Sequence, residues 1–126
     1  MSDASNLEYF GRFVAENLRD RALDDFELLA KRHWKAPALQ DLQTALSELP
    51  PSELEVARRA LRRVVDSAIH DFLFALQEEH DSSGPLEVRV NGEAVAATSD
   101  GLQGEPYSEE GWFARFSRFG KPPENA

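Results

Sequence analysis

The feature that most constrains this chain is one long helical pattern in its middle, which the remaining segments are expected to cover. Two prolines, Pro50 and Pro51, end the preceding segment, because the residue ahead of a proline is driven away from helical angles. Ser52 and Glu55 then match a capping box, in which each side chain accepts a hydrogen bond from the other residue's amide. Apolar residues recur at helical spacing from there onward. The pattern predicts one helix over residues 52–79.

The apolar residues of this helix define the face that we expect to be buried. That face consists of Leu54, Ala57, Leu61, Val64, Val65, Ala68, Phe72, Ala75 and Leu76. The opposite side carries Arg59, Arg63, Asp66, His70 and Gln77. Toward its end the helix becomes apolar almost all round, and such a segment is normally buried on more than one side. We therefore expect residues 68–76 to form the middle of the core.

The length of 126 residues predicts a single domain over residues 1–126. Its parts are a helical region at 1–81, a hairpin and C-terminal segment at 82–120, and a tail at 121–126. The chain has no cysteine, which excludes disulfides and leaves the cytoplasm as the expected location. Its first three residues lack the basic and apolar regions of a signal peptide. The central apolar run is too short to span a membrane, so we expect no membrane partner.

The charge of the chain argues against one class of partner. With 23 acidic and 14 basic residues, the formal net charge is −9. Affinity for the phosphate backbone comes mainly from lysine and arginine, so a nucleic-acid partner is not expected. Arg58, Arg59, Arg62 and Arg63 do form a basic patch early in the central helix. Acidic residues one turn away favour an ion-paired, solvated surface there over a docking site for an acidic partner.

Three shorter helices are predicted before the central one. Apolar residues at helical spacing indicate helices over residues 5–20 and 22–32, and the sequence leaves open whether these are one bent helix. Pro37 suits the first position of a third helix, which the pattern extends to Leu49. The polar connection between the second and third helices contains Trp34, a candidate anchor for a partner.

The period of the pattern changes from helical to alternating after the central helix. Residues 86–90 and 93–97 flank Asn91-Gly92, a dipeptide that favours the type I′ turn of a two-residue β-hairpin. Such a loop would pair Val90 with Glu93, Val88 with Val95, and Leu86 with Ala97. The last two pairs would then lie on one face, against the central helix.

The C-terminal segment combines a loop with four aromatic residues. Residues 98–107 are expected to form the loop, and Ser108 can cap a last short helix. The aromatic residues follow at helical spacing; they are Trp112, Phe113, Phe116 and Phe119. A strand over residues 112–116 is the alternative, because Gly111 weakens the helical pattern. The predicted fold class is therefore α+β: a mostly helical N-terminal half around a long central helix, a C-terminal β-hairpin, and a short terminal helix or strand.

Two stretches resemble a family of small uncharacterised bacterial proteins. They are HDFLFALQEE at residues 70–79, and SDGLQGE at 99–105 followed by Tyr107 and by EGWFARFS at 110–117. The resemblance covers the last half of the chain and implies a bacterial origin and the same coarse fold. It implies no activity. Some small acidic bacterial proteins of this kind are immunity proteins to secreted toxins, an analogy at the level of class.

The end of the central helix is dense in potential metal ligands, namely His70, Asp71, Glu78, Glu79, His80 and Asp81. Helical geometry separates most of them, since His70 and His80 lie about 80° apart around the axis. Asp66 and His70 share a face, but a zinc site needs three or four protein ligands. We therefore predict no metal and no cofactor, and interpret these residues as a surface pair and a charged helix end.

The loop before Tyr107 is the other candidate for binding. Its composition matches neither a calcium-binding loop nor a phosphate-binding loop. Its glycines indicate a structured connection, yet loops on a rigid frame often carry recognition residues. The residues that we single out for binding are Asp71, Asp100, Gln103, Glu105, Tyr107 and Trp112. No nucleophile elbow or catalytic cysteine is present, and no catalytic residue is named.

Two functional hypotheses follow from these observations. The favoured one is a non-enzymatic, protein-binding module of a bacterial cytoplasm, such as an immunity-type inhibitor. The alternative is a small-ligand-binding protein or an enzyme that uses carboxylates near Asp71, Asp100 and Glu105, with His70. It requires these groups to converge in one pocket. A homodimer through the aromatic segment is compatible with either hypothesis.

Overall fold

The computed structural model describes residues 3–123, with side chains from residue 5 onward. Within these residues, five α-helices and one two-stranded hairpin form the fold. They are α1 (Asp3–Val14), α2 (Arg21–Ala30), α3 (Gln40–Ser47), α4 (Pro51–Asp81), β1 (Arg89–Val90), β2 (Glu93–Ala94) and α5 (Trp112–Phe116). The predicted α+β class, with its long central helix, is confirmed. Residues 124–126 of the predicted tail, and the first two residues, lie outside the described part. No helix within residues 3–123 is long and apolar enough to cross a bilayer.

The first two predicted helices run together through a π-helical segment, Ala15–Asp20, which joins α1 to α2. The sequence alone left open whether these two helices are one bent helix. A π-helical turn holds one residue more than an α-helical turn, so it shifts the faces of the helices on either side. Here it brings two charged residues, Arg19 and Asp20, to the buried side, where each is almost completely covered.

The connection to α3 is fixed by a buried glutamine. Gln43 accepts a hydrogen bond from the Trp34 amide at 2.9 Å and donates one to the Trp34 carbonyl at 3.0 Å. The main chain at Trp34 is thus held in place, while its ring is partly exposed against His33.

Helix α4 begins one residue earlier than predicted, because Pro51 occupies a first-turn position that needs no amide donor. The predicted capping box does not form. Ser52 lies inside the helix and no side chain caps its start. The carboxylate of Glu55 instead accepts a hydrogen bond from Arg58 at 2.5 Å.

The buried face of α4 is rotated from the predicted one. Ile69, Leu73 and Leu76 are buried, as expected for the middle of the core, but so are Asp66 and Gln77, which were placed on the outer side. Conversely, members of the predicted core face are exposed on this helix: Val64, Ala68, Phe72 and Ala75.

The hairpin has the predicted turn and register but is shorter. Asn91 and Gly92 both have positive φ, at 52° and 80°, as a type I′ turn requires. Val90 pairs with Glu93, and the Val95 amide donates to the Val88 carbonyl at 3.0 Å. Beyond this point the chain turns into a 3₁₀-helix, Val95–Thr98. The predicted pair of Leu86 and Ala97 is therefore wrong, and both residues are exposed.

The terminal helix α5 is the helical alternative of the two predicted, and it supplies the largest core residues. Trp112 and Phe113 are 1% and 0% exposed. The Trp112 ring packs edge-on against Phe10, with ring centroids 5.8 Å apart. It passes so close to Gly11 that a Cβ there would lie 2.4 Å from the ring. A glycine at this position is what allows α1 to approach α5.

A buried polar network ties the π-helical segment to α4 and to the C-terminal segment. The Arg19 guanidinium donates to both carboxylate oxygens of Asp66, at 2.7 and 3.1 Å, and to the Ser117 hydroxyl at 3.0 Å. It also lies 4.2 Å from the centre of the Phe113 ring. Asp20 accepts hydrogen bonds from the same hydroxyl and from the Arg118 amide. This network explains why α4 turns Asp66 inward.

Candidate functional site

The residues predicted to bind are distributed over three places in the structure. Asp71 and Tyr107 line one polar pocket. Asp100 and Glu105 lie in the loop before α5, where the negative charge of Asp100 helps to raise the pKa of Glu105. Trp112 lies in the core and presents no surface for a partner.

The polar pocket lies between α4 and the C-terminal segment and has a volume of about 410 Å³. The residues that line it are Arg63, Asp66, Ser67, His70, Asp71, Tyr107, Pro122 and Pro123. His70 and Asp71 are joined at its mouth by a contact of 3.2 Å between Nδ1 and Oδ1. The pocket therefore brings together His70, Asp71 and Tyr107. Asp100, Gln103 and Glu105 are not among its lining residues.

Tyr107 is held in this pocket for a structural purpose. Its hydroxyl donates to the main-chain carbonyl of Asp66 at 2.5 Å. Burial raises the pKa of Tyr107 well above its ordinary value, and the negative charge of Asp66 adds to this effect. The hydroxyl thus stays protonated at neutral pH and uses its proton in the hydrogen bond to the Asp66 carbonyl, so it cannot serve as a base.

The pKa of the Glu105 carboxyl is raised above its ordinary value. Burial is the main cause, the charge of Asp100 adds to it, and Arg115 acts in the opposite direction. Among the described residues, no three histidine, aspartate or glutamate side chains converge as a metal site would require. Of the three carboxylates of the ligand-binding hypothesis, Asp71 lines the polar pocket, whereas Asp100 and Glu105 do not.

Replacing Glu105 with glutamine should stabilise the protein at neutral pH and lose this advantage in acid. A glutamate whose pKa is raised on folding disfavours the folded state once it ionises, and this penalty is absent below its unfolded pKa. The gain should thus shrink as the pH falls toward 4.5, the usual value for glutamate. Urea unfolding of the wild type and of Glu105→Gln at pH 7 and pH 4 measures the difference in their free energies of unfolding. An equal effect at both pH values would contradict the prediction.

An exposed apolar surface lies elsewhere, along the groove between α1 and α4. Six residues form this surface, which we call the α1–α4 face: Phe13, Leu18, Ala22, Val64, Ala68 and Phe72. Phe13, Val64 and Phe72 each expose more than half of their surface, and Leu18 nearly half. Two adjoining cavities of about 230 and 410 Å³ lie between the helices and share Leu18, Ile69 and Phe72.

The α1–α4 face combines exposed aromatic side chains with apolar cavities. An aromatic side chain has about 150–250 Å² of surface, so the exposed parts of Phe13 and Phe72 together amount to roughly 200 Å². The residues that line its two cavities are apolar except for Asn17. A third cavity, with a volume of about 360 Å³, continues from Phe72 to Leu86. The largest apolar patch of a monomer is often functional, so this face is a candidate binding surface.

Sequence analysis missed this face because it assigned the same residues to the core. Val64, Ala68 and Phe72 were predicted to be buried by their helical spacing. The signal that could have found the face is the excess of apolar residues in 68–76, which is more than the core elements of a chain this small can cover. No protein-family model, curated protein or solved structure matches this chain.

Proposed function

We propose that the protein is a non-enzymatic, protein-binding module that acts through the α1–α4 face. The observation that carries this proposal is the exposure of Phe13 and Phe72 on adjoining helices, where they line cavities that these helices leave unfilled. Covering exposed apolar surface with a partner removes it from water, which favours binding by the hydrophobic effect.

Other surfaces support the proposal less well. Loop residues Leu102 and Pro106 are buried, as are the aromatic residues Trp112 and Phe113. The side chains of Phe116 and Phe119 are covered in part by arginine guanidinium groups. The loop and the aromatic segment thus serve mainly to build the core. An immunity-type inhibitor of a bacterial cytoplasm is one form of this function, and the net charge of −9 would speed its association with a basic partner.

Protein binding should depend on Phe72 and not on an equally exposed residue outside the face. Val56 is the matched control, since it lies on the same helix and is 55% exposed, as is Phe72. Both residues can be changed to aspartate, which adds the same charge. We expect the wild type and Val56→Asp to form a protein complex, with themselves or with a protein of a bacterial extract, and Phe72→Asp to form none. Cross-linking followed by mass spectrometry measures this. A complex that survives Phe72→Asp would overturn the proposal.

A further inference from the structure

We infer that residues 31–35, which we call the basic loop, form a second interaction surface that binds a short acidic segment of a partner protein. The sequence of this loop is KRHWK, and it lies between α2 and α3. The inference goes beyond the proposed function, because it concerns a different surface from the α1–α4 face. The charge of the loop, its exposure and its fixed main chain each support it.

The basic loop is a positive surface on a negative protein. Its five residues include three of the 14 lysines and arginines of the chain, and no acidic residue lies between Glu27 and Asp41. The rest of the chain has 23 acidic residues against 11 lysines and arginines. Within residues 3–123, the lysines and the arginine of the loop form no ion pair. Glu27, the acidic residue that precedes the loop, is bound by Arg58 at 2.6 Å, so the positive charge of the loop is available to another molecule.

Every residue of the basic loop is exposed, and one of them is a tryptophan. The Trp34 ring is 37% exposed and lies edge-on to the His33 ring, with ring centroids 4.9 Å apart. Tryptophan and arginine are enriched among the residues that carry protein–protein binding energy. Cations are also favourable at the C-terminal end of a helix, which accounts for Lys31 and Arg32 after α2. Trp34 and Lys35 lie beyond that helix end, so helix stabilisation does not explain them.

The main chain of the basic loop is held in one conformation. Gln43, which is 0% exposed, accepts a hydrogen bond from the Trp34 amide at 2.9 Å and donates one to the Trp34 carbonyl at 3.0 Å. Gln40 donates to the carbonyls of Trp34 and Ala36, both at 3.0 Å. Arg32 has a φ of 58°, a conformation that glycine adopts at lower cost at the end of a helix. The loop is therefore preorganised, which lowers the entropy lost when a partner binds.

The surroundings of the basic loop favour a short acidic segment over an extended polyanion. Five residues span at most about 17 Å, whereas nucleic acids and anionic membranes present negative charge over much longer distances. An extended polyanion would also face the rest of this acidic chain and would be repelled by it. An acidic segment of a few residues can contact the loop alone, with its carboxylates on the cations and its apolar atoms on the Trp34 ring.

Fluorescence anisotropy of a dye-labelled hexaglutamate peptide tests the basic loop. We expect the wild type to bind it, and more weakly at about 200 mM salt than at about 50 mM, because salt screens exposed charges. An exposed ion pair contributes up to a factor of about five to an equilibrium constant, so Lys31→Gln with Lys35→Gln should weaken binding about 10-fold. The matched control is Arg21→Gln with Arg59→Gln. It removes the same charge from two other exposed positions and should leave binding unchanged.

Arg32→Gly separates binding from a purely structural role of the loop. Glycine relieves the positive φ and should raise the urea midpoint, while loss of the charge should weaken peptide binding about 3-fold. A higher midpoint with unchanged binding would show that the position serves only the helix end, and would count against the inference. Tryptophan emission locates the contact. Because Trp112 is 1% exposed, a change in emission on adding the peptide should come from Trp34.

The outcomes keep this inference separate from the proposed function. Phe72→Asp should bind the peptide as the wild type does, since Phe72 belongs to the α1–α4 face. A wild type that does not bind hexaglutamate overturns the inference, as does an equal loss of binding in the two double variants. Tighter binding, through the same two lysines, of a single-stranded thymidine oligonucleotide or of vesicles of equal parts phosphatidylserine and phosphatidylcholine also overturns the acidic segment as the ligand. In each of these cases the proposed function is decided independently, by the protein complex that depends on Phe72.

Discussion

Replacing Asp66 with asparagine is expected to lower the free energy of unfolding by about 3–5 kcal/mol, because it breaks a buried ion pair and leaves one charge behind. Arg19 has no exposed surface, and its guanidinium contacts both carboxylate oxygens of Asp66. Asparagine keeps the shape of the side chain but removes its charge, so the buried Arg19 guanidinium loses its carboxylate partner. Domains of this size are stable by about 5–15 kcal/mol, so the loss should be large enough to shift the urea midpoint strongly.

The matched control for Asp66→Asn is Asp71→Asn. It makes the same chemical change five residues later on the same helix, at a side chain that is 81% exposed. It should change the free energy of unfolding by no more than about 0.5 kcal/mol, as most surface substitutions do. If both variants unfold at the same urea concentration, the pair between Arg19 and Asp66 contributes nothing beyond a surface contact, and the account of the buried network is wrong.

The parts of the fold that could be predicted from sequence are those that local chemistry determines. Asn91-Gly92 specifies its turn because both residues tolerate positive φ, and the turn then sets the register of the hairpin. The long central helix follows from helical spacing that is sustained over many residues and from the prolines at its start. These features depend on neighbours in the chain, which the sequence displays directly.

The orientation of the central helix could not be predicted, because it depends on partners that are distant in sequence. A pattern of apolar and polar residues assumes that polar side chains face water. Asp66 faces inward because Arg19, 47 residues away, satisfies its charge. Gln77 faces inward because its carbonyl oxygen accepts a hydrogen bond from the Leu102 amide at 3.0 Å. The π-helical segment that places Arg19 contains no glycine or proline that would have indicated a change of helix geometry in the sequence.

The same limitation applies to the candidate site. Helical spacing identified Val64 and Phe72 as apolar and Trp112 as aromatic, but it could not tell which of them a small chain would have room to bury. The structure exchanges the predicted core and surface positions of these residues. Trp112, a candidate binding residue, fills the core, while Val64 and Phe72, assigned to the core, remain at the surface. Of the predicted polar site residues, Asp71 and Tyr107 do lie in one pocket.

Replacing Trp112 with alanine is expected to lower the free energy of unfolding by about 3–5 kcal/mol, the usual effect of removing a large aromatic side chain from a core. The ring is 1% exposed and packs edge-on against Phe10. It also fills the space left by Gly11, so its removal would open a cavity between α1 and α5. Because the Trp112 side chain contributes no surface, the substitution should change stability without removing a contact between copies of the chain. Urea unfolding followed by circular dichroism measures the change.

Trp34→Ala provides the control for this prediction, since Trp34 is the only other tryptophan and is 37% exposed. Its ring contacts His33, but the segment is held by main-chain hydrogen bonds to Gln43 that alanine keeps. We expect a loss of about 1 kcal/mol or less, within the usual range for surface positions. The Trp34→Ala protein would also leave Trp112 as the single tryptophan, whose emission should shift to the red only when the core unfolds. If Trp112→Ala kept its stability and instead dissociated a dimer, the aromatic segment would be an interface, and α5 would have to be placed outside the core.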